Sequence, residues 1–308
     1  QVDINVAVEE QPSGNSTIAA GYSQSGGLTF QAGLSQSNFL GTGNQVNLSL
    51  SRSETLDSYN VGYTNPYFTP DGVSQSANLY ARKTKYDNKN ISNYVTDSYG
   101  GTLGFSYPID ETKSLSAGLN LDRTAIKAGR YLAVSNYDYL VENGSVDTSK
   151  DNQGIPSFES EGFNTYGLNL GWNMNTLNRG RFPTKGMSHN VNLNLAFGDV
   201  TYQKMVYQGN YYHPFYKNTV LRGYTKLGYG NDLPFWENFF AGGYGSVRGY
   251  ENSTLGPTSN RYYTSYINNG VDPYPEEIGG NALAQVGTEL ILPMPFKGDW
   301  AEQIRPVL

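Results

Sequence analysis

Cysteine is absent from this chain of 308 residues, and histidine occurs only twice. The lack of cysteine is compatible with an oxidising periplasm or outer membrane. No His/Cys/carboxylate cluster has metal-ligand spacing, so no metal site is expected. His189 and His213 have no recognisable Ser or Asp constellation around them. A hydrolase needs a nucleophile or activated water beside a base, so the chain is not expected to be an enzyme. Basic charge is also scarce: the net charge is -6, which argues against a nucleic-acid partner. No run approaches the ~20 apolar residues of a transmembrane helix, and no stretch repeats with a period near 3.6.

What is present is aromatic, glycine-rich and alternating. There are 26 tyrosines, 13 phenylalanines and 36 glycines. Mean hydropathy is -0.53, which at first sight suggests a soluble protein. The apolar residues are spread in alternation, however, and a membrane β-barrel hides from hydropathy in that way. Val46, Leu48 and Leu50 alternate with Asn47, Ser49 and Ser51. The same outside/inside stripe recurs at Leu115, Ala117, Leu119 and Leu121, at Leu168, Leu170, Trp172 and Met174, and at Val191, Leu193, Leu195 and Phe197.

Val2, Ile4, Val6 and Val8 form one good strand, ended by Gln11-Pro12-Ser13-Gly14. Residues 1–11 are expected to be the last strand of a preceding domain and 12–15 a linker. Ser16 to Ser25 is a weak strand of small residues, with Ile18, Ala20 and Tyr22 on one face. Further strands fall at about 28–39, 45–53, 57–68, 73–87, 93–109, 113–128, 162–178, 187–199, 200–216, 219–231 and 281–295, and a last one starts near Ile304. The two long connections, about 129–161 and 232–280, both follow odd strands, while turns after even strands are short. Long loops on one side and tight turns on the other are the habit of an outer-membrane barrel, with the turns in the periplasm. The prediction is an all-β, antiparallel transmembrane barrel over 16–308, with about 13 strands present. Single-chain bacterial barrels have even strand counts, so the barrel is expected to continue past Leu308 by about three strands. Gln1 is not an initiator, so a processed or excised fragment is expected. Loop 129–161 carries Tyr131, Tyr137, Asp138, Tyr139, Glu142, Asp147 and Asp151 and reads as an exposed acidic loop, with a cover over the barrel mouth or a surface for ligands as the alternative. Trp172, Trp236, Trp300, Tyr211 and Tyr212 read as interface anchors.

The most distinctive stretch is 239–251, Phe-Phe-Ala-Gly-Gly-Tyr-Gly-Ser-Val-Arg-Gly-Tyr-Glu. Glycines permit tight folding, Tyr244 and Tyr250 offer packing, and Arg248 carries a charge that is expensive to bury without a carboxylate. This is the pattern of a loop that folds inward and docks. In the strand after it, Ala282, Ala284, Val286, Thr288, Leu290 and Leu292 form one face, and Leu283, Gln285, Gly287, Glu289 and Ile291 the other. A carboxylate is costly against lipid, so Glu289 is placed in the lumen as a candidate partner for Arg248, with room for loop backbone beside Gly287. The alternative is a solvated lumenal Glu289 and a loop-surface Arg248.

Phe240-Ala241-Gly242-Gly243 followed by Val247-Arg248-Gly249-Tyr250-Glu251 resembles the inward-folded sixth extracellular loop of the BamA family of outer-membrane protein insertases. Asn38-Phe39-Leu40-Gly41-Thr42-Gly43, Asn65-Pro66-Tyr67-Phe68, Pro183-Thr184-Lys185-Gly186 and Gly287-Thr288-Glu289 agree with it in order. The resemblance implies a 16-stranded barrel preceded by polypeptide-transport-associated (POTRA) domains, residues 1–11 ending the last of them. It implies docking of Arg248, within Gly242, Gly243, Val247, Gly249 and Tyr250, against Glu289 and Gly287. It implies a lateral gate at the first strand, with Thr17, Ile18, Ala19, Ala20, Gly21 and Tyr22. The implied partners are unfolded outer-membrane protein precursors, assembly-machinery lipoproteins, outer-membrane lipid and lipopolysaccharide. No cofactor is implied. A secretion or translocation pore of the same superfamily is the nearest rival, and a passive porin lacks a need for the loop motif.

Overall fold

The computed structural model describes residues 12–23, 27–54, 56–85, 94–128, 132–143, 146–150, 156–160, 162–243, 245–261, 274–294 and 305–307. Twelve antiparallel strands follow one another in a single sheet: β1 (Gly14–Ser23), β2 (Gly27–Gln36), β3 (Gln45–Arg52), β4 (Leu56–Asn65), β5 (Ser74–Lys85), β6 (Tyr94–Asp110), β7 (Lys113–Ala128), β8 (Phe163–Asn175), β9 (Gly186–Gly198), β10 (Tyr202–Tyr216), β11 (Thr219–Asn231) and β12 (Ala282–Ile291). Each pairs with its sequence neighbour, across loops of very different length. A further strand begins where Leu292 N donates to the Pro306 carbonyl at 2.9 Å and Ile291 bridges Val307. Residues 1–11, the expected strand of a preceding domain, lie outside the described residues, as do Tyr131, Asp151, Tyr244, Trp300 and Ile304. Gly14 and Asn15, expected in the linker, already belong to β1, because they pair with Gln36 and Ser35.

Period-two alternation explains why these residues make walls. Leu119 and Leu121 in β7, Leu170 in β8 and Val286 in β12 are exposed on the outer face. Asn120, Asp122, Thr165 and Asn194 line the inner one. Inner polar groups satisfy one another: Tyr80 Oη donates to Asp122 at 2.6 Å, and Asn169 to Asn120 at 2.9 Å. The outer face over its middle is apolar enough to meet lipid.

The described core lies at the long-loop end of the inner face. Tyr94, Ile126, Leu132, Leu140, Phe163, Ala196, Val200, Tyr202 and Phe235 are buried together. Phe235 is 5.1 Å from Tyr94 in β6, while its neighbour Glu237 accepts from Lys204 Nζ of β10 at 2.8 Å. One short segment therefore touches strands four apart in the sheet, which requires a strongly curled wall. Trp236, read as an interface anchor, is inside this cluster, against Phe163 at 5.0 Å and Tyr139 at 5.7 Å.

Loop 129–161 corrects a second expectation. It contains α1 (Val134–Asn143), where no helix was predicted. Val, Ser, Asn and Tyr are weak helix formers, so propensity does not announce it. Packing does the work: Leu132 and Ala133 are fully buried, Leu140 seats the helix, and Val134 N donates to the Asn260 carbonyl of the other long loop at 2.8 Å. Asp138 and Glu142 are exposed, so only that face fits the reading of an exposed acidic loop.

Two substitutions test this architecture. Leu119→Arg puts a charge at mid-wall on the outer face and is expected to destabilise the folded barrel by about 2–4 kcal/mol, read from denaturant unfolding in lipid vesicles. Phe235→Ala empties the centre of the loop cluster and is expected to remove about 3 kcal/mol or more, with a lowered Tm in detergent.

Candidate functional site

The long connection after β11 turns back into the lumen. Its root is tied down by backbone: Phe239 N donates to the Gly280 carbonyl at 2.8 Å, and Gly280 N returns the bond to Phe239 at 2.9 Å. The Phe239 ring lies over Gly228 of β11, where a side chain would collide with it. Lys204 Nζ stands 4.9 Å from the same ring and donates to the Glu237 carbonyl at 2.7 Å. Ala241 then bridges Leu255, so 242–254 forms a closed excursion.

Two glycines make that excursion possible. Gly242 has φ +109, and a Cβ there would press on the Glu251 carbonyl; Gly243 has φ +92 and lies against the Asn252 side chain. Only glycine adopts these dihedrals without strain. Ser246 N closes a turn on the Gly243 carbonyl at 3.0 Å, and the Ser246 carbonyl accepts from Gln285 Nε2 of β12 at 2.8 Å. The turn aims Arg248 at the wall. Its Nη2 lies 3.0 Å from Glu289 Oε1.

Glu289 also binds a partner that the sequence analysis missed. Arg222 of β11 is its direct cross-strand neighbour, and Arg222 Nη1 donates to Glu289 Oε2 at 2.7 Å. Arg222 is itself fixed: Nη2 donates to Asn210 Oδ1 at 2.6 Å, and the guanidinium lies 5.0 Å from the Tyr224 ring and 5.8 Å from the Tyr212 ring. The Glu289 side chain is 14% exposed, Arg222 30% and Arg248 51%. The wall pair is thus the more buried half of the site, and the loop-borne Arg248 the more exposed. The signal that could have found Arg222 was its place on the polar face of 219–231, hidden because a 50-residue connection conceals which residues of β11 and β12 are opposed. A cavity of about 460 Å³ remains among Asn210, Arg222, Lys226, Arg248, Gln285 and Glu289.

Other expected residues fall differently. Tyr224, not loop backbone, occupies the space over Gly287, because a large ring on one strand covers the bare glycine on the next. Tyr250 is exposed and does not pack the loop, and Gly249 at φ +88 faces open space. Val247 is partly buried. Tyr212, expected at the interface, faces inward beneath Arg222. Trp172 does lie on the outer face, stacked with His189 at 6.4 Å, and His189 Nδ1 is 2.8 Å from Tyr207 Oη. His213 stacks on Tyr211 at 6.2 Å. Among the described residues no cluster of three or more His, Asp or Glu could hold a metal ion.

At the start of the sheet, β1 pairs with β2 over ten residues without a register shift, from Gly14↔Gln36 to Ser23↔Gly27. Among the described residues its other edge has no partner strand. Thr17, Ile18, Ala19, Ala20, Gly21 and Tyr22 are all exposed, Ile18 at 90% and Tyr22 at 79%.

A family model described as the Omp85 superfamily domain matches residues 38–308. The chain belongs to the Omp85 superfamily. Among its relatives, the outer membrane protein assembly factor BamA of Neisseria meningitidis serogroup B is 32% identical over 311 aligned positions, covering 97% of this chain and 37% of that protein. BamA of Nitratidesulfovibrio vulgaris is 24% identical, covering 94% and 33%. The chain spans about a third of the length of these curated relatives. The crystal structure of BamA from Haemophilus ducreyi lacking POTRA domains 1–3 superimposes with a TM-score of 0.81 at 28% identity, over 97% of this chain and 57% of that one. CdiB from Acinetobacter baumannii shares the fold, with a TM-score of 0.55 at 16% identity. The twelve-stranded sheet is therefore the wall of an Omp85-type outer-membrane barrel.

The glycine geometry of this Omp85 loop makes a direct test. Gly242→Val adds both a forbidden φ and a clash with the Glu251 carbonyl. It is expected to release 242–254, seen as new protease cleavage in that segment, while the barrel keeps its heat-modifiable electrophoretic mobility.

Proposed function

We propose that this chain is the barrel portion of an outer-membrane protein assembly factor, and that the full-length protein folds and inserts other β-barrels into the outer membrane. The observation that carries the reading is the 239–251 loop, held inside the lumen with Arg248 on Glu289. It stands in a chain that aligns over nearly its whole length with BamA of N. meningitidis. A passive porin does not need a glycine-aromatic-arginine loop of this pattern.

The chemistry proposed is not covalent and uses no cofactor. The edge of β1 offers N–H and C=O groups to an incoming strand, and in lipid an unsatisfied edge is costly, so pairing with a precursor is favourable. Gly21 and the small side chains of Thr17, Ala19 and Ala20 give β1 little packing to lose when its neighbour changes. In this reading β1 and the last strand of the barrel form the lateral gate, the short turns face the periplasm, and the long loops lie outside. Residues 1–11 end the last POTRA domain, through which the assembly lipoproteins act. Precursor proteins arrive from that side, and lipopolysaccharide surrounds the other.

The test is a charge swap in a strain that depends on the full-length gene. Arg248→Glu and Glu289→Arg are each expected to lower outer-membrane protein levels and viability. Glu289→Arg is the more severe, at about 3 kcal/mol of lost docking or more, because it sets three cations together. The double swap returns an anion–cation contact between loop and wall but leaves two cations opposed across β11 and β12, and is expected to recover assembly only in part. Normal assembly in both singles would remove the docked pair from the mechanism. Normal levels of other barrels after depletion of the whole protein would replace assembly with a secretion or translocation pore of the same superfamily.

A further inference from the structure

The rim made by the short turns is electrically polarised. On the arc from β2 to β7, turn 37–44 carries no charge and turn 66–73 carries Asp71. The β6–β7 turn carries Asp110 and Glu111, and its one cation, Lys113, is held by Asp110 at 3.2 Å. Among the described residues of the arc from β8 to β12 every rim charge is positive: Arg179, Arg181, Lys185, Lys217 and Arg305; the stretch 295–304, outside the described residues, adds Lys297 against Asp299 and Glu302 in sequence. No acid occurs among the described residues of 176–185, 214–219, 292–294 or 305–307. Arg179, Lys185, Lys217 and Arg305 form no ion pair with any described carboxylate. In a chain of net charge -6 this is local segregation and not a general surplus.

The cations are held in place. Asn178 Oδ1 accepts from Thr184 N at 3.0 Å and Lys185 N at 3.2 Å, and its Nδ2 donates to Thr184 Oγ1 at 2.8 Å, so turn 176–185 is braced. Phe182, at φ +50, stands between Arg181 at 5.3 Å and Arg305 at 5.7 Å. Lys217 Nζ lies 5.2 Å from the exposed Tyr216 ring. The same arc bears the outward aromatics Trp172, His189, Tyr207, Tyr211 and His213 on β8 to β10. Such a girdle marks the membrane–water interface. The cations sit just past it, at headgroup depth.

We propose that this arc binds anionic phospholipid headgroups of the leaflet on the short-turn side. The charges follow the plane of the membrane through three successive connections instead of forming one compact patch, and they adjoin exposed aromatics, an arrangement that suits headgroups better than the face of a soluble protein. Each such cation adds to the attraction toward an anionic surface, and salt screens it. The arc near β2 to β7, whose described turns carry three acids against one cation, gathers none, so the lipid shell is lopsided. The inference rests on the barrel's place in a membrane and not on which polypeptides it assembles.

Native mass spectrometry of the full-length protein in detergent tests it, with dioctanoyl-phosphatidylglycerol against dioctanoyl-phosphatidylcholine as probes. The unaltered protein is expected to retain the anionic lipid about tenfold over the zwitterionic one. The combined Arg179→Gln, Lys185→Gln, Lys217→Gln and Arg305→Gln variant is expected to fall to parity, and Arg179→Lys with Arg305→Lys to keep the preference. Heat-modifiable mobility establishes that each is folded; if the combined variant is not, Arg179→Gln with Lys185→Gln alone is expected to lose about half the preference. Salt at about 0.5 M, where screening acts within a few Å, is expected to erase it. An unchanged preference in the folded variant overturns the proposal. So does an unchanged preference accompanied by lost capture of a periplasmic protein, which would make the arc a protein-docking surface.

Discussion

Lipid supplies no hydrogen bonds, so each peptide group in the wall must be satisfied by a neighbouring strand. Everything else in this molecule follows from that constraint. The ladders run in unbroken register along most of each strand pair. The two irregularities among the β6–β7 and β10–β11 pairs fall at Pro108 and Pro214, both near the short-turn ends where water can serve the open groups. Unbroken register forces strict alternation, and alternation sorts the chain into an apolar outside and an amide- and hydroxyl-rich lumen.

Within the lumen, order is built in two stages. The root of the long loop is set by backbone pairing at Phe239 and Gly280 and by aromatic packing around Phe235 and Trp236. The tip is set by charge. Glu289 is held by its cross-strand neighbour Arg222 and carries a second oxygen for Arg248. The carboxylate thus takes one cation from its own wall and one from the loop. The more exposed Arg248 pair is the weaker and more readily exchanged contact.

Much of the wall is legible in the residues. Leu115 to Leu121, Leu168 to Trp172 and Val191 to Phe197 show their faces directly, because a period of two needs only near neighbours in sequence. Arg248 and Glu289 stand out as well, since an arginine amid glycines and a carboxylate on a barrel strand are each costly without a partner. The failures share one cause. Tyr212 and Trp236 look like interface aromatics, and Gly287 looks like open space, until the strands they oppose are known. The helix at 134–143 has no strong propensity of its own and exists because Leu140 and the other long loop give it something to pack against.

The sequence by itself determined the fold class, the strand faces, the side on which the long loops emerge, and the loop whose arginine needs a carboxylate. These depend on local period and on the cost of burying charge. The tertiary structure alone decided that Arg222 shares Glu289, that Tyr224 covers Gly287, that two distant loops close over one aromatic cluster, and that five cations line one half of the rim. Those facts depend on which strands lie opposite one another across long connections, and register at that range is set by the whole ladder and not by any single segment.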